Sequence, residues 1–464
     1  MATQWLNHKV QCDKLLPKAV RRGGGWVIVA KVAGLFSTLV GNAILSRILS
    51  PADLGVYYLL FSLINLTNFA APLGLNRAVV KFLSENLALG DYARARNLLR
   101  KGLLIGDTSV LAFSMGLLVF RYTPPGGVVL ASIPGGRIML LGMVSAFFMS
   151  TSTLRGEAFL GMKNYRDAVL HRTMLQNLFF ISEVAAVWLS GIRVTLDAVL
   201  LLLAASTLLD YLIASYKVWR WENIASGLHV PRNGEAGTFA GDVSWREILK
   251  ISLPLWGTTI ATFVLAQFPL WYLDWWQGMT DVALFGVAMV IKRMIFRFPS
   301  EFVVSVIPPL VAGEYAVGNK QKVEKLVRLG ASFGFGSTLL SVIAFAAWGR
   351  AVLSSLFGVF YSQAYPLVLV LAVGELVNAW AGAIGVVLMM TAYQRVILKI
   401  SLLTVFLGLC VGYLGVVRWG SMGMAWAASL SLALYNVLMV VFLYKKEHIK
   451  SYALLPLLDF LRQG

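Results

Sequence analysis

Long runs of apolar residues alternate with short polar connections along almost the whole chain. A helix needs about 20 apolar residues to cross a hydrocarbon core of about 30 Å. Windows of that kind fall at 26–49, 54–83, 102–121, 138–160, 173–190, 194–216, 248–273, 282–312, 329–348, 365–390, 396–417 and 421–443. The pattern predicts an all-α polytopic membrane protein of twelve transmembrane helices. The longest non-apolar connection, from about Lys217 to Trp245, holds Pro231, Asn233, Gly234, Gly237 and Gly241, which favour turns and linkers. It divides the spans six and six. The predicted organisation is a basic N-terminal segment over 1–25, an N-lobe over 26–216, a linker over 217–247, a C-lobe over 248–444 and a tail over 445–464.

A weak internal repeat supports the same division. The segment from Gly90 to Gly102 (GDYARARNLLRKG) resembles the segment from Gly318 to Gly330 (GNKQKVEKLVRLG), each following the second span of its half. Likewise ADLGVYYLLFSL from Ala52 pairs with ALFGVAMVIKRM from Ala283, aligning Gly55 with Gly286. An even number of spans per copy leaves both copies the same way up. The lobes are then related by a pseudo-two-fold along the membrane normal, with a site between them near the midplane.

Composition and charge bear this out. Hydrophobic residues make up 58% and charged residues 13%, too apolar for an ordinary soluble domain. The net charge of +18 does not indicate nucleic acid, because the cations punctuate hydrophobic runs and do not gather on a soluble face. They cluster in alternate connections, for example Lys9 to Arg22, Arg94 to Lys101, Lys163 to Arg172, Lys320 to Arg328 and Lys445 to Lys450. By the positive-inside rule those connections and both termini are expected in the cytoplasm, with the protein in the inner membrane. Trp5, Leu6, Val10, Leu15 and Leu16 among the early cations leave two readings open, a helix lying on the inner leaflet or a solvated topological signal. Cys12 and Cys410 form no disulfide or metal pattern, and His8, His171, His229 and His448 are all assigned to connections, which leaves no intramembrane histidine relay.

Charge inside the spans is the candidate chemistry. Lys292, Arg293 and Arg297 lie in the eighth window, where each costs about 2.5–3.5 kcal/mol on insertion scales. Arg293, Arg297 and Glu301 recur every four residues and share a helical face. Two explanations stand side by side: a cationic wall for a phosphate-bearing substrate, or structural ion pairs with Glu301 or an acid on another span. The first span carries Lys31, Gly34, Thr38, Gly41 and Asn42 on one stripe expected to face the interior, and Arg47 and Arg77 lie near opposite membrane surfaces. Glu183, Asp210 and Glu375 lie well inside spans, where they serve either proton coupling or charge balance. Glu375 shares a face with Asn378 and Gly382, and Asp210 with Ser206. Pro72, and Pro299, Pro308 and Pro309, interrupt helices at matching places in the halves. Glycine pairs Gly330/Gly334 and Gly408/Gly412 have close-packing spacing. No nucleotide loop, HExxH or Cys/His cluster is present, so no enzyme activity, metal or cofactor is expected.

The run from Ser46 to Glu85 resembles the opening signature of the polysaccharide-biosynthesis branch of the multidrug/oligosaccharidyl-lipid/polysaccharide exporter superfamily. The matching pieces are Arg47 before Leu49, Pro51, Gly55 and Tyr57, then Gly74, Leu75 and Arg77 before Phe82. LRGEAFLGMKNYRDA, from Leu154 to Ala168, is similar to that family's fourth-span exit. The resemblance implies two six-helix lobes around an alternately opening cationic cavity. It also implies a substrate that is a polyprenyl-diphosphate-linked oligosaccharide, as in O-antigen flippases, with membrane lipid and polysaccharide-assembly proteins as partners. The alternatives are an ion-coupled multidrug antiporter of the same superfamily and a membrane glycan polymerase or ligase. A lipid II flippase is less favoured, because its two extra spans are not found.

Overall fold

The computed structural model describes residues 32–191, 194–227, 245–297, 311, 319–390 and 393–453. Lys31, Glu301, the three prolines from Pro299 to Pro309 and the N-terminal segment lie outside the described residues, as does the side chain of Arg297. Everything regular among the described residues is helical. The first half comprises α1 (Val32–Ile48), α2 (Pro51–Ala70), α3 (Leu75–Ala88), α4 (Tyr92–Arg121), α5 (Pro124–Val129), α6 (Gly136–Gly161), α7 (Tyr165–Val169), a π turn (Leu170–Met174), α8 (Leu175–Leu189) and α9 (Leu196–Gly227). The second comprises α10 (Trp245–Trp276), α11 (Met279–Ile291), a second π turn (Lys292–Arg297), α12 (Lys320–Phe357), a 3-10 turn (Val359–Ala364), α13 (Tyr365–Ala381), α14 (Ile384–Met390) and α15 (Gln394–Glu447).

Where their residues are described, the predicted windows fall largely on helix, and seven stretches among the described residues are long and apolar enough to cross a membrane. The windows were drawn too narrow at their polar ends, since a helix continues through charged residues once its backbone hydrogen bonds are established. Arg94 to Lys101 lie on the first turns of α4, and Lys217 to Gly227, predicted as linker, continue α9. α15 merges the last two windows around Gly420, whose positive φ of 54° marks the turn between them.

The repeat has a local counterpart. Asp91 accepts a hydrogen bond from the Arg94 amide at 2.9 Å and caps α4, and Asn319 accepts one from the Lys322 amide at 3.2 Å and caps α12. Their backbone angles are nearly the same, φ −85° and ψ 76° against φ −82° and ψ 73°. An Asx cap satisfies one of the free amides of a first turn and is worth about 1 kcal/mol. Asp91→Ala is expected to lower stability by that amount, read as a small fall in detergent-solubilised melting temperature, with Asn319→Ala giving the same.

Within the first half, α6 packs on α9, α4, α2 and α3; within the second, α15 packs on α10 and α13, and α12 on α13. The halves meet where α2 lies against α11 and α10, and α3 against α10. The predicted interruption at Pro72 is real: α2 stops at Ala70, Leu73 and Gly74 take left-handed angles, and α3 restarts at Leu75. Trp256 of α10 donates to the freed Ala70 carbonyl at 2.8 Å, so the break in one half is capped by the other. The glycine pair in α15 packs as its spacing predicted: Gly408 meets Ser431, and Gly412 meets Phe268 and Met424.

Candidate functional site

Charge in the bundle gathers at the two π turns. A π turn inserts an extra residue into a helix, re-aims the side chains that follow, and is often found at functional sites. In the first half it carries His171 and Arg172; in the second, Lys292, Arg293 and Arg297.

His171 corrects the sequence assignment. It does not lie in a connection but on helix continuous with the fifth span, fully buried, with Nδ1 2.7 Å from Oδ1 of Asp210 on α9. The window was started two residues too late because His171 and Arg172 are polar. Ser152 of α6 donates to the other Asp210 oxygen. On the far side of the ring, Lys217 Nζ lies 3.2 Å from Nε2 and 2.7 Å from Asp167 Oδ1. Lys217 can only donate, so the ring accepts at Nε2 and donates from Nδ1 to Asp210. The chain of bonds ties α7, the π turn, α6 and α9 together.

Asp167 lies outside the spans. Partial burial pushes its carboxyl up, but the Lys217 ammonium bonded to it, helped by Asn164, outweighs burial and holds it below the ordinary value. A depressed carboxyl contributes stability above its unfolded pKa of about 3.9 and loses it as pH falls through the lower folded value. Acid melting curves are therefore expected to lose a stabilising contribution below about pH 4. Lys217→Met should remove that contribution at neutral pH.

Two further pairs escaped the sequence reading, which overlooked Asp107 inside the third window. Arg155 donates to both Asp107 oxygens, at 3.1 and 2.8 Å, with its guanidinium 4.6 Å from the Tyr211 ring centre. Arg172 lies 3.0 Å from Glu157, and Arg77, exposed on α3, also acts electrostatically on Glu157. The signal available was position: Arg155 and Glu157 stand inside the fourth window.

In the second half, Lys292 Nζ lies 3.3 Å from Glu375 Oε1 on α13, and Asn378 donates to Oε2 at 3.0 Å. The Lys292 side chain keeps 15% of its exposure and that of Glu375 only 1%. Lys292 thus has a carboxylate partner, the charge-balancing arrangement that the sequence left open. Arg293 is exposed on the same turn and makes interactions of its own.

The remaining candidates sit apart from these clusters. Asn42 bonds back to the Thr38 carbonyl at 2.7 Å, and Asn177 of α8 reaches Thr38 at 3.5 Å, so the polar stripe of α1 is engaged within the first half. Glu183 is half-buried on α8, with Oε2 unbonded. Arg47 joins the halves: it donates to the Ser355 carbonyl and, at 3.1 Å, to that of Leu356, while Ser46 donates to Phe357 at 3.0 Å. A cation against the last carbonyls of α12 also favours the negative end of its dipole.

Residues 20–313 match the family described as polysaccharide biosynthesis protein. The chain belongs to this family. No curated protein sequence matches it. Among solved structures, an inward-facing multidrug resistance MATE family transporter of the MOP superfamily is similar with a TM-score of 0.67 at 16% identity, covering 90% of this chain and 94% of the other. The lipid II flippase MurJ, in an inward closed conformation, is similar with a TM-score of 0.65 at 11% identity, covering 90% and 87%. An outward-facing MATE family transporter gives 0.58 at 14% identity, covering 93% and 95%. These identities establish a shared fold.

Several positions in and around the Ser46–Glu85 run have visible physical jobs. Ser50 caps α2, accepting from the Asp53 amide at 3.1 Å, and Pro51 occupies the first turn, where no amide partner is needed. A Cβ at Gly55 would lie 2.0 Å from the Met279 carbonyl oxygen, so glycine lets α2 and α11 meet backbone to backbone. Gly286, its repeat equivalent, sits under the Tyr58 ring on the same seam. Gly74 supplies the left-handed residue that restarts α3.

Proposed function

We propose that this member of the polysaccharide biosynthesis family is a flippase. It moves a polyprenyl-diphosphate-linked oligosaccharide across the cytoplasmic membrane by alternating access, for cell-surface polysaccharide assembly. The diphosphate is held between the lobes by Lys292 and Arg293, with Arg297 deeper along the same face, while the polyprenyl tail stays in lipid. Lys31, Arg47, Arg77 and Asn42 complete the cationic surface at different stages of the cycle, and Asp210, Glu183, Glu375 and Glu301 balance or couple charge. Membrane lipid and polysaccharide-assembly proteins are its partners, and both termini lie in the cytoplasm, with lobes at 26–216 and 248–444 and a linker at 217–247.

The observation that carries this reading is the family match over residues 20–313, joined to cations at the π turn of α11, the helix that forms the seam between halves. In this reading the contacts of Arg47 and Gly55 close the outward end of the seam, and the cavity opens to the cytoplasm. Binding from the cytoplasm followed by outward release is the direction such a start provides.

In cells that depend on this protein for surface glycan, Arg293→Ala and Lys292→Ala are expected to abolish surface polysaccharide. The lipid-linked precursor should accumulate while the protein remains in the membrane at normal level. Normal surface glycan in both variants would refute the assignment. A multidrug antiporter is the second reading, supported by the MATE neighbours and by the buried carboxylates Asp210 and Glu375 and the half-buried Asp107. It predicts drug resistance that Glu375→Gln and Asp210→Asn abolish, and no accumulation of lipid-linked glycan.

A further inference from the structure

We infer that Glu375 is a displaceable stand-in for the anionic headgroup: it holds Lys292 between transport events, and a diphosphate takes its place. The inference rests on the flippase reading of this site and names how the site is emptied and refilled.

The pair is looser than the other ion pairs that join separate helices among the described residues. Arg155 grips Asp107 through two bonds, at 3.1 and 2.8 Å; Lys217 meets Asp167 at 2.7 Å; Arg172 meets Glu157 at 3.0 Å. Lys292 stands 3.3 Å from Glu375, and Oε1, the oxygen that faces it, makes no aligned hydrogen bond although it is buried. A buried carboxylate oxygen left without a hydrogen bond is costly, so this contact neutralises charge without being optimised as a structural bond. Oε2 is anchored by Asn378, which fixes the carboxylate and leaves Lys292 as the partner that can move.

Access is one-sided. Glu375 is almost wholly enclosed, whereas Lys292 keeps partial exposure, so of the two it is the ammonium that offers surface to an incoming anion. Lys292 also begins the π turn, and a helix that exchanges π for α geometry rotates the side chains beyond the bulge. A diphosphate offers more negative charge and more acceptor oxygens than one carboxylate, so it wins the ammonium once it arrives. The freed Glu375 keeps its bond from Asn378 and stays fixed on α13 while Lys292 holds the anion.

The elements packed on α13 are α15, α12, α11, its π turn and the 3-10 turn. The π turn brings Lys292 and Arg293; α15 presents Ser429 to the Gly374 amide, and α12 presents Thr338 to the Phe296 carbonyl. Asp281 lies in the first turn of α11, bonded by Ser421, and Tyr361 lies in the 3-10 turn before α13 begins.

The test uses the full-length protein in nanodiscs with geranylgeranyl diphosphate as the probe, titrated calorimetrically. Wild type should bind it saturably. Glu375→Gln keeps the Asn378 bond and removes the competing charge. It should bind roughly tenfold tighter, a shift of about 1.4 kcal/mol. Glu375→Asp, which retains charge on a shorter arm, should stay closer to wild-type affinity than Glu375→Gln. Unchanged affinity in Glu375→Gln would overturn the stand-in role alone. Absence of saturable binding by wild type would overturn the flippase reading of the site, and this inference with it.

Discussion

Gly55→Ala is expected to abolish activity by preventing α2 and α11 from closing against each other. A Cβ there would sit 2.0 Å from the Met279 carbonyl oxygen and 2.8 Å from its carbon, and neither is a flexible side chain that can step aside. Overpacking of a tight core costs about 1–3 kcal/mol even when side chains can adjust, and here two helix backbones must part. Gly286→Ala is the internal control: its Cβ meets the Tyr58 ring at 2.1 Å, and a ring can shift where a backbone cannot. Disulfide formation between Ser46→Cys and Phe357→Cys reports closure directly, since Ser46 already bonds the Phe357 carbonyl. Crosslinking should be efficient in the parent, reduced in Gly286→Ala and lost in Gly55→Ala. Equal crosslinking in all three would show that the seam tolerates the added methyl group.

Asp210→Ala should produce the largest loss of stability of any single charge substitution in the first half. The carboxylate accepts from Ser152 and from His171, and its removal strands an imidazole that Lys217 still contacts from the other side. Breaking a buried pair by deleting one partner typically costs about 3–5 kcal/mol. Asp210→Asn keeps an acceptor for the ring and should cost much less. Arg155→Ala belongs to the same class but should cost less than Asp210→Ala, because Asp107 keeps partial access to its surroundings, with 24% of its side chain exposed. Thermal unfolding of the solubilised variants, monitored by tryptophan fluorescence, ranks them; an Asp210→Ala protein as stable as Asp210→Asn would show the network to be dispensable.

Hydrophobic length and turn chemistry made most of the fold legible in the sequence. The described parts of the apolar windows are helical because apolar runs of bilayer length have few other stable conformations, and Pro72 and Gly74 mark a true break. Helix ends were missed wherever charged residues continue a helix out of the apolar zone, as at Arg94 and Lys217. The same bias against polar residues placed His171 in a connection and passed over Asp107, so the histidine–carboxylate network went unseen. The repeat was legible in part: it identified Asp91 and Asn319 as equivalent, and Gly55 with Gly286, but not that the two glycines would lie on one seam. Lys292 was recognised as unusual from its cost in the membrane. Its partner could not be chosen, because pairing with Glu375 depends on how α11 and α13 pack, which hydropathy does not encode.

The most direct measurement is translocation itself. Purified protein is reconstituted into liposomes containing a polyprenyl-diphosphate-linked oligosaccharide, and the fraction of glycan reachable by an impermeant glycosidase is followed with time. The account predicts that wild type renders the inaccessible leaflet's glycan reachable, and that Lys292→Ala and Arg293→Ala liposomes remain at the level of protein-free vesicles. Wild-type protein that leaves the inaccessible fraction unchanged, or alanine variants that move the glycan as fast as wild type, would contradict it.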